Sequence, residues 1–274
     1  MGADLRRRSG ETARLLGLIA AEAGRLLAAV QDRAGGHRVK GDGSPTTGAD
    51  LASERLILDR LGAAWPEIPV VAEESAGSGP ASEFFFLVDP LDGTKDYLSG
   101  KGEYSVNIAL IAGTRPVAAA VAAPGAGRVW AAGERTEVGQ ITGDSVEGWS
   151  PVSTRPSPTD GLVALGSRRH GDTTTEACLA ELAVAEQRAV SSAYKFCLIA
   201  SGEADLYVRC GPTMEWDTAA GDLVVERAGG RVIGPGGAPL TYGHGHRGFL
   251  NGPFAAMGDP ALAARLRLPP NCPE

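Results

Sequence analysis

The amino-acid sequence predicts a layered α/β fold, and two features of its pattern carry this prediction. The first half begins with apolar residues at helical spacing and continues with four apolar runs of strand length, which indicates helices packed over a sheet. The second half alternates strand-like and helix-like segments, as is typical of an α/β layer. We expect two closely packed lobes: an N-terminal α+β lobe, residues 1–150, and a C-terminal α/β lobe, residues 151–274.

In the first half, helical periodicity comes first and strand-like runs follow. The predicted elements are helices over about 11–30 and 51–61 and strands over 69–72, 84–88, 105–111 and 116–123. Gly35-Gly36 and Trp65-Pro66 are the stop signals of the two helices. Gly, Ser, Thr and Pro are frequent in the segment 139–159, which we expect to form strand edges and the connector between the lobes.

The second half carries the alternating pattern. The predicted elements are strands over 161–166, 188–190, 204–208 and 231–233 and helices over 173–185, 193–202 and 216–228. Gly229-Gly230 closes the last helix, and the strand after it is expected to be the final one.

The most informative segment is the hexapeptide Asp89-Pro90-Leu91-Asp92-Gly93-Thr94, which directly follows an apolar run. Two carboxylates then emerge where a buried strand ends at Val88, and Pro90 stiffens the turn between them. Magnesium prefers hard oxygen ligands, and the carbonyl of Leu91 is a further donor. A helix could start at Gly93 and Thr94. The alternative is a hairpin turn in which Asp89 only accepts turn hydrogen bonds.

Acidic residues also follow a second apolar run and stand at the start of a predicted helix. Val70-Val71-Ala72 is followed by Glu73-Glu74, and Asp217 stands at the start of the predicted helix near residue 216. Glu74 is either a supporting residue or the solvent-facing neighbour of Glu73. Three acidic endings in one chain favour a metal and phosphate site over a simple turn.

The elements D-P-L-D-G-T (89–94) and W-D-T-A-A (216–220) resemble the signatures of the inositol monophosphatase superfamily, a group of lithium-sensitive, magnesium-dependent phosphatases. Segments 40–50, 92–97 and 191–197 are more similar to the CysQ type of 3′(2′),5′-bisphosphate nucleotidase within that superfamily. The likeness runs from about Ala13 to Phe254. It implies the αβαβα sugar-phosphatase fold, with the active site between two lobes.

The resemblance also implies roles for individual residues. The implied ligands of two or three Mg²⁺ ions are Glu73, Asp89, Asp92, Asp217 and the carbonyl of Leu91. Asp50 and Thr94 would orient and deprotonate the attacking water. The implied substrate contacts are Glu73, Leu91, Asp92, Gly93, Thr94, His170, Ser192, Lys195, Arg209 and Asp217.

Several of these residues have a second interpretation. Asp50 also fits a capping box with Thr47 as N-cap. Ser192 and Lys195 are expected on one helical face, but a single lysine or histidine is ordinarily a surface residue. Arg169 stands where a small polar residue is expected, which affects the surroundings of His170. We expect Phe196 and Trp216 to be core residues and not platforms for adenine.

The implied activity is hydrolysis of the 3′-phosphate of adenosine 3′,5′-bisphosphate to AMP and phosphate, and of 3′-phosphoadenosine 5′-phosphosulfate likewise. In a cell this reaction would clear a by-product of sulfate assimilation, and lithium would inhibit it. One alternative is an inositol monophosphatase or related sugar phosphatase. A second, from another class, is a noncatalytic phosphate-binding protein.

Charge and cysteine content limit the partners. A net charge of −7 argues against nonspecific nucleic-acid binding. The resemblance implies a small nucleotide as the partner. The four cysteines have no C-x-x-C spacing and no leader precedes them, which predicts a reduced cytosolic protein, at most peripheral at the inner membrane. The longest alanine and valine run, 117–123, is too short to cross a bilayer. The sequence leaves monomer and homodimer open.

Lysine is scarce in this chain. The lysines are Lys40, Lys95, Lys101 and Lys195, and arginine supplies the other cations. All but Lys101 lie inside the segments that carry the resemblance.

Overall fold

The computed structural model describes residues 7–31, 37–39, 45–76, 82–167 and 172–270. Its α-helices are α1 (Ser9–Val30), α2 (Gly48–Ala64), α3 (Thr94–Leu98), α4 (Thr173–Ala180), α5 (Tyr194–Ala200) and α6 (Glu215–Arg227). Two short strands, β1 (His37–Val39) and β2 (Pro45–Thr47), pair antiparallel just before α2.

A seven-stranded sheet occupies most of the first half. Its strands, in spatial order, are β3 (Val70–Ala72), β4 (Phe84–Asp92), β5 (Ser105–Ala112), β6 (Arg115–Ala123), β7 (Arg128–Ala132), β8 (Thr136–Thr142) and β9 (Ser145–Pro151). Only the β3–β4 pair is parallel, and the remaining pairs of this sheet are antiparallel. From β5 to β9, consecutive strands are antiparallel neighbours joined by short connections.

A five-stranded sheet follows. In chain order its strands are β10 (Leu162–Gly166), β11 (Val184–Ala189), β12 (Leu206–Arg209), β14 (Arg231–Ile233) and β16 (Phe254–Met257), and their spatial order is β11-β10-β12-β16-β14. A separate pair, β13 (Thr213–Met214) with β15 (Leu250–Asn251), flanks the start of α6. The strands β10, β11 and β12 are parallel, and β16 runs antiparallel to both of its neighbours.

Three apolar clusters fill the spaces between five layers of secondary structure. The first packs α1 and α2 on one face of the seven-stranded sheet, for example Leu16 against Ile108. The second fills the space between the two sheets with side chains of α5 and α6, among them Phe196 and Leu223. The third covers the outer face of the five-stranded sheet with α4 and the C-terminal segment. The layers therefore alternate αβαβα, which confirms the predicted fold.

Most predicted elements are present, but three predictions about elements in the second half of the chain were wrong. The helix predicted over 173–185 ends at Ala180, because Val184 begins a strand that pairs with β10. The strand predicted over 188–190 is the end of that longer strand. The strand at 231–233 is not the final one, since β16 follows and lies between β14 and β12.

Candidate active site

The acidic hexapeptide forms a bulged strand end that leads directly into a helix. The prediction that the strand stops at Val88 was wrong, because β4 continues to Asp92 with a register shift between Asp89 and Asp92. Pro90 has no N–H to donate to a ladder, so a bulge accommodates it. The N–H of Leu91 donates to Asp89 Oδ1 at 3.0 Å.

Gly93 turns the chain from strand to helix. Its φ of +91° lies in the left-handed region, and α3 begins at the next residue. The helix start predicted at Thr94 is therefore confirmed. The chain does not form a tight hairpin here, although Asp89 does accept a turn hydrogen bond from Leu91.

Four acidic residues act on one another at this turn. Asp89 is 1% exposed, and burial raises its pKa well above the usual value. The negative charges of Glu73, Asp92 and Asp217 raise that pKa further. Burial, together with the charge of Asp92, raises the pKa of Asp217 to about 7. The structure thus brings the predicted acids within electrostatic reach of each other.

The donor set is suited to a hard divalent cation. Carboxylate and carbonyl oxygens are the ligands that magnesium prefers, and mutual repulsion among buried acids is relieved by bound positive charge. Within the described ranges, no three Asp, Glu, His or Cys side chains are already gathered tightly enough to hold an ion as they stand. The ligand set therefore remains a prediction that the donor chemistry supports.

Asp50 lies at the first turn of α2 and contacts both its own helix cap and Thr94. Thr47 donates to Asp50 Oδ2 through its backbone N at 2.8 Å and its hydroxyl at 2.5 Å, and the Thr47 hydroxyl accepts from the N–H of Asp50 at 3.4 Å. This confirms the capping box. Thr94 Oγ1 lies 3.4 Å from Asp50 Oδ1 and 3.2 Å from the Leu91 carbonyl oxygen. Burial raises the pKa of Asp50.

Two polar residues on α2 support the site and were missed by the sequence analysis. Ser53 Oγ donates to the Pro90 carbonyl at 2.8 Å, and Glu54 Oε2 accepts from the N–H of Glu74 at 2.9 Å. Both side chains are buried. They follow Asp50 by three and four residues, so a polar stripe on one helical face was the signal that could have identified them.

Glu74 is a supporting residue and does not simply face solvent. Its carboxylate accepts from Thr46 Oγ1 at 2.8 Å, and this bond ties the segment after β3 to the residue that precedes the α2 cap. The N–H of Glu73 donates to the Val88 carbonyl at 3.1 Å, which fixes that residue beside β4.

A short segment before α5 fastens the second half of the chain to the acidic turn. The N–H of Ala193 donates to Asp92 Oδ2 at 2.6 Å, and the N–H of Ser191 donates to Glu103 Oε2 at 3.1 Å. The Ser191 hydroxyl also donates to Asp96. The prediction that Ser192 shares a helical face with Lys195 was wrong, because Ser192 has a φ of +61° and precedes the helix.

A cleft of about 250 Å³ opens beside this turn. Among the predicted site residues, its walls include Asp92, Gly93, Thr94, Ser192, Lys195, Arg209 and Asp217. Glu73 and Leu91, which were also predicted to contact substrate, are not among the residues that line this cleft, and Leu91 is only 1% exposed. His170 lies outside the described residues.

The predicted cations of the cleft differ in how they are held. Lys195 is 3% exposed, and its ammonium donates to the carbonyls of Ser192 at 2.7 Å and Val190 at 3.2 Å. Burial lowers the pKa of Lys195 to about 8, against the opposing charge of Asp92. Arg209 ends β12 as predicted and donates from Nη2 to the Pro212 carbonyl at 2.8 Å.

The aromatic residues agree with the sequence analysis. Phe196 and Trp216 belong to the core between the sheets, as predicted.

The described cysteines Cys178, Cys197 and Cys210 are free thiols, with 3.8 Å between the sulfurs of Cys178 and Cys210. Among the helices that the structure describes, none has the length and apolar character needed to cross a bilayer.

Oxygen donors for a hard cation thus stand next to positive side chains that suit a phosphate, in a cleft between two sheets of a five-layered molecule. The class that this arrangement defines is that of the layered α/β phosphatases. Residues 11–266 match the sequence profile of the Inositol monophosphatase family. The chain therefore belongs to the inositol monophosphatase family.

Individual relatives agree with this assignment. The chain is 38% identical over 218 residues to the 3′(2′),5′-bisphosphate nucleotidase CysQ of Escherichia coli O6:H1, a match that covers 78% of this chain and 86% of that protein. The crystal structure of CysQ from Bacteroides thetaiotaomicron superposes with a TM-score of 0.77 at 29% identity, covering 91% of this chain and 97% of that one. The inositol monophosphatase from Anabaena shares the fold, with a TM-score of 0.72 at 21% identity over 93% of this chain and 94% of that one.

Proposed function

We propose that this phosphatase is a Mg²⁺-dependent 3′(2′),5′-bisphosphate nucleotidase. Its reaction is hydrolysis of the 3′-phosphate of adenosine 3′,5′-bisphosphate, which yields AMP and phosphate, and 3′-phosphoadenosine 5′-phosphosulfate is a second substrate of the same kind. The likeness to the CysQ protein of Escherichia coli supports this substrate class.

The observation that carries the proposal is Arg209 at the wall of the cleft. Its Nε is buried and makes no hydrogen bond to any described residue, although the side chain lines the same cleft as Asp92 and Asp217. A buried donor without a partner is costly, and an anion that accepts from it removes that cost. A bisphosphate presents a second anionic group, whereas a monophosphorylated sugar does not.

The acidic turn would hold the metal. Glu73, Asp89, Asp92, Asp217 and the Leu91 carbonyl are the candidate ligands of two or three Mg²⁺ ions. When bound, such ions would neutralise charge on the phosphoryl oxygens and would make a nearby water easier to deprotonate.

The pair formed by Thr94 and Asp50 would manage the proton of the attacking water. The Thr94 hydroxyl stands 3.4 Å from Asp50 Oδ1 and can accept from a water while it donates to that carboxylate. Since burial raises the pKa of Asp50, the carboxylate holds a transferred proton more readily than an exposed one would. The bond that forms joins the water oxygen to phosphorus, and the bond that breaks joins phosphorus to the 3′-oxygen, which takes up a proton from solvent water.

The first experiment compares phosphate release from adenosine 3′,5′-bisphosphate and from inositol 1-phosphate, with Mg²⁺, on one purified sample. A strong preference for the nucleotide supports the proposal, and loss of that preference in Arg209→Ala identifies the cation responsible. Preference for inositol phosphate overturns the nucleotidase assignment. No turnover of either, together with unchanged binding in Asp92→Asn, would indicate a noncatalytic binding protein.

A further inference from the structure

The cations of the cleft are not equally free to bind substrate. Lys195 already donates to two backbone carbonyls, and its ammonium lies 4.7 Å from the centre of the Tyr207 ring. Enclosed in this way, Lys195 fixes the segment before α5 and has little freedom to move toward a ligand. Burial raises the pKa of Asp92, and the positive charge of Lys195 opposes that rise.

Arg209 is only partly free. Its Nη2 is bonded to the Pro212 carbonyl, so its fork is anchored at one end and can present the remaining donors to one anionic group. A bisphosphate bound with one phosphate at the acidic turn still carries a second dianionic phosphate, which one anchored guanidinium neutralises only in part.

Lys95 is the third cation on the wall of the cleft, one residue after Thr94. It is exposed, and no carboxylate or carbonyl in the described part of the chain is bonded to its ammonium. Lys101 provides the contrast, because it pairs with Asp96 at 3.9 Å and does not line the cleft. Lys95 is one of only four lysines in the chain and lies within the acidic motif.

We infer that Lys95 is a specificity-determining residue that binds the second, non-reacting phosphate of the substrate. This inference rests on the proposed function and adds a residue to it. A lysine ammonium is a point charge on a flexible stem, so it can reach a phosphate from an exposed position in α3, while Arg209 lines the same cleft from the end of β12. A substrate whose only phosphate is the reacting one makes no use of Lys95.

The test compares Lys95→Met with the matched variant Lys101→Met. Both substitutions remove one exposed positive charge at neighbouring positions, but only the first changes the wall of the cleft. For adenosine 3′,5′-bisphosphate, we expect Lys95→Met to lower kcat/KM by about 10- to 30-fold, mostly through KM, as for the loss of one charge-assisted contact. For adenosine 3′-monophosphate, which lacks the 5′-phosphate, we expect kcat/KM to change less than about twofold.

A binding measurement separates recognition from catalysis. The probe is AMP, which keeps the 5′-phosphate, and its affinity is measured by calorimetry against that of adenosine. We expect Lys95→Met to weaken AMP binding by about tenfold and to leave adenosine binding unchanged, and Lys95→Arg to restore most of the AMP affinity.

The outcomes distinguish the two proposals. If wild-type protein prefers the bisphosphate and Lys95→Met keeps that preference and the AMP affinity, the role of Lys95 is overturned while the nucleotidase assignment stands. An equal loss in Lys101→Met also overturns it, since a general charge effect then explains the result. If the wild-type protein shows no preference for the bisphosphate, the proposed function fails, and the role of Lys95 fails with it.

Discussion

At the scale of single residues, Asp50 shows how one carboxylate can serve structure and chemistry together. Its Oδ2 accepts both bonds from Thr47, whereas its Oδ1 faces the Thr94 hydroxyl. The capping bonds therefore hold the carboxylate in one orientation, and the oxygen that they leave available is directed at the proposed water-activating threonine. Helix capping and proton acceptance are compatible here because they use different oxygens.

Asp50→Asn tests this division. The amide oxygen can replace Oδ2 in the cap, but the NH₂ group then faces Thr94 and donates where the carboxylate accepted. We expect kcat for adenosine 3′,5′-bisphosphate to fall by roughly 10²- to 10⁴-fold, the usual value of a general base, with KM nearly unchanged. Steady-state kinetics at saturating Mg²⁺ measures both constants.

Thr47→Ala is the matched control for the cap. It removes the N-cap hydroxyl and should lower the free energy of unfolding by about 1 kcal/mol, with a much smaller effect on kcat than Asp50→Asn. A protein in which Asp50→Asn keeps more than a tenth of the wild-type kcat would contradict the role of Asp50 as proton acceptor.

At the scale of secondary-structure elements, the junction of β4 and α3 positions the acids and the threonine in one turn. Gly93 makes this junction possible through its positive φ. A Cβ at this position would lie 3.2 Å from the Glu103 carbonyl oxygen and 3.5 Å from the Ser192 Cβ. The junction is thus packed against the segment that fastens the second half of the chain to Asp92.

Gly93→Ala should therefore harm both stability and activity. The left-handed conformation costs an alanine about 1–2 kcal/mol, and the contact with Glu103 displaces the turn, so we expect kcat/KM to fall at least about tenfold. Gly100→Ala is the control, because its φ is +72° and no atom lies within 4 Å of the added Cβ. Urea unfolding and kinetics should show a similar stability loss in both variants. Equal activity losses would contradict the role of packing at Gly93.

Particular secondary-structure elements show which parts of the fold the sequence could predict and which parts it could not. Long periodic elements such as α1 were predicted correctly, since burial of one face leaves a strong pattern. Val184 was assigned to a helix because alanine and valine suit either state, and only pairing with β10 decides for the strand. The strand β16 has no nearby partner in sequence, so its place between β12 and β14 is a tertiary choice.

The candidate site, like the fold, was predicted only in part from the sequence. The acids at 89–94 were identified because they are contiguous and follow a buried strand. Ser53, Glu54 and Ser191 were missed, because each acts by contacting a segment distant in the sequence. The positive φ of Ser192 left no local signal either, since serine in this conformation is held by its surroundings and not by propensity.

At the scale of the whole molecule, the site depends on a helix from the middle layer meeting a strand end of the first sheet. Asp217 at the start of α6 faces Asp89 and Asp92 of β4, and these acids repel one another. A carboxyl whose folded-state pKa is raised stabilises the protein below its unfolded pKa and loses that contribution as the pH rises. For Asp217 the loss extends from about pH 4 to about pH 7.

This repulsion predicts how metal removal, pH and one substitution act together. Without divalent cations, the free energy of unfolding should fall between pH 5 and pH 8, and Asp89→Asn should be more stable than wild type by about 1–3 kcal/mol at pH 8, since it removes one buried charge. Saturating Mg²⁺ should stabilise wild type by about 2–3 kcal/mol, as expected for a ligand at a hundredfold excess over its Kd, and the variant by much less. Urea unfolding measures the free energy of unfolding of wild type and of Asp89→Asn, with EDTA and with saturating Mg²⁺, at pH 5 and at pH 8. If Mg²⁺ stabilises both proteins equally, Asp89 is not a ligand, and the metal site must be sought away from the end of β4.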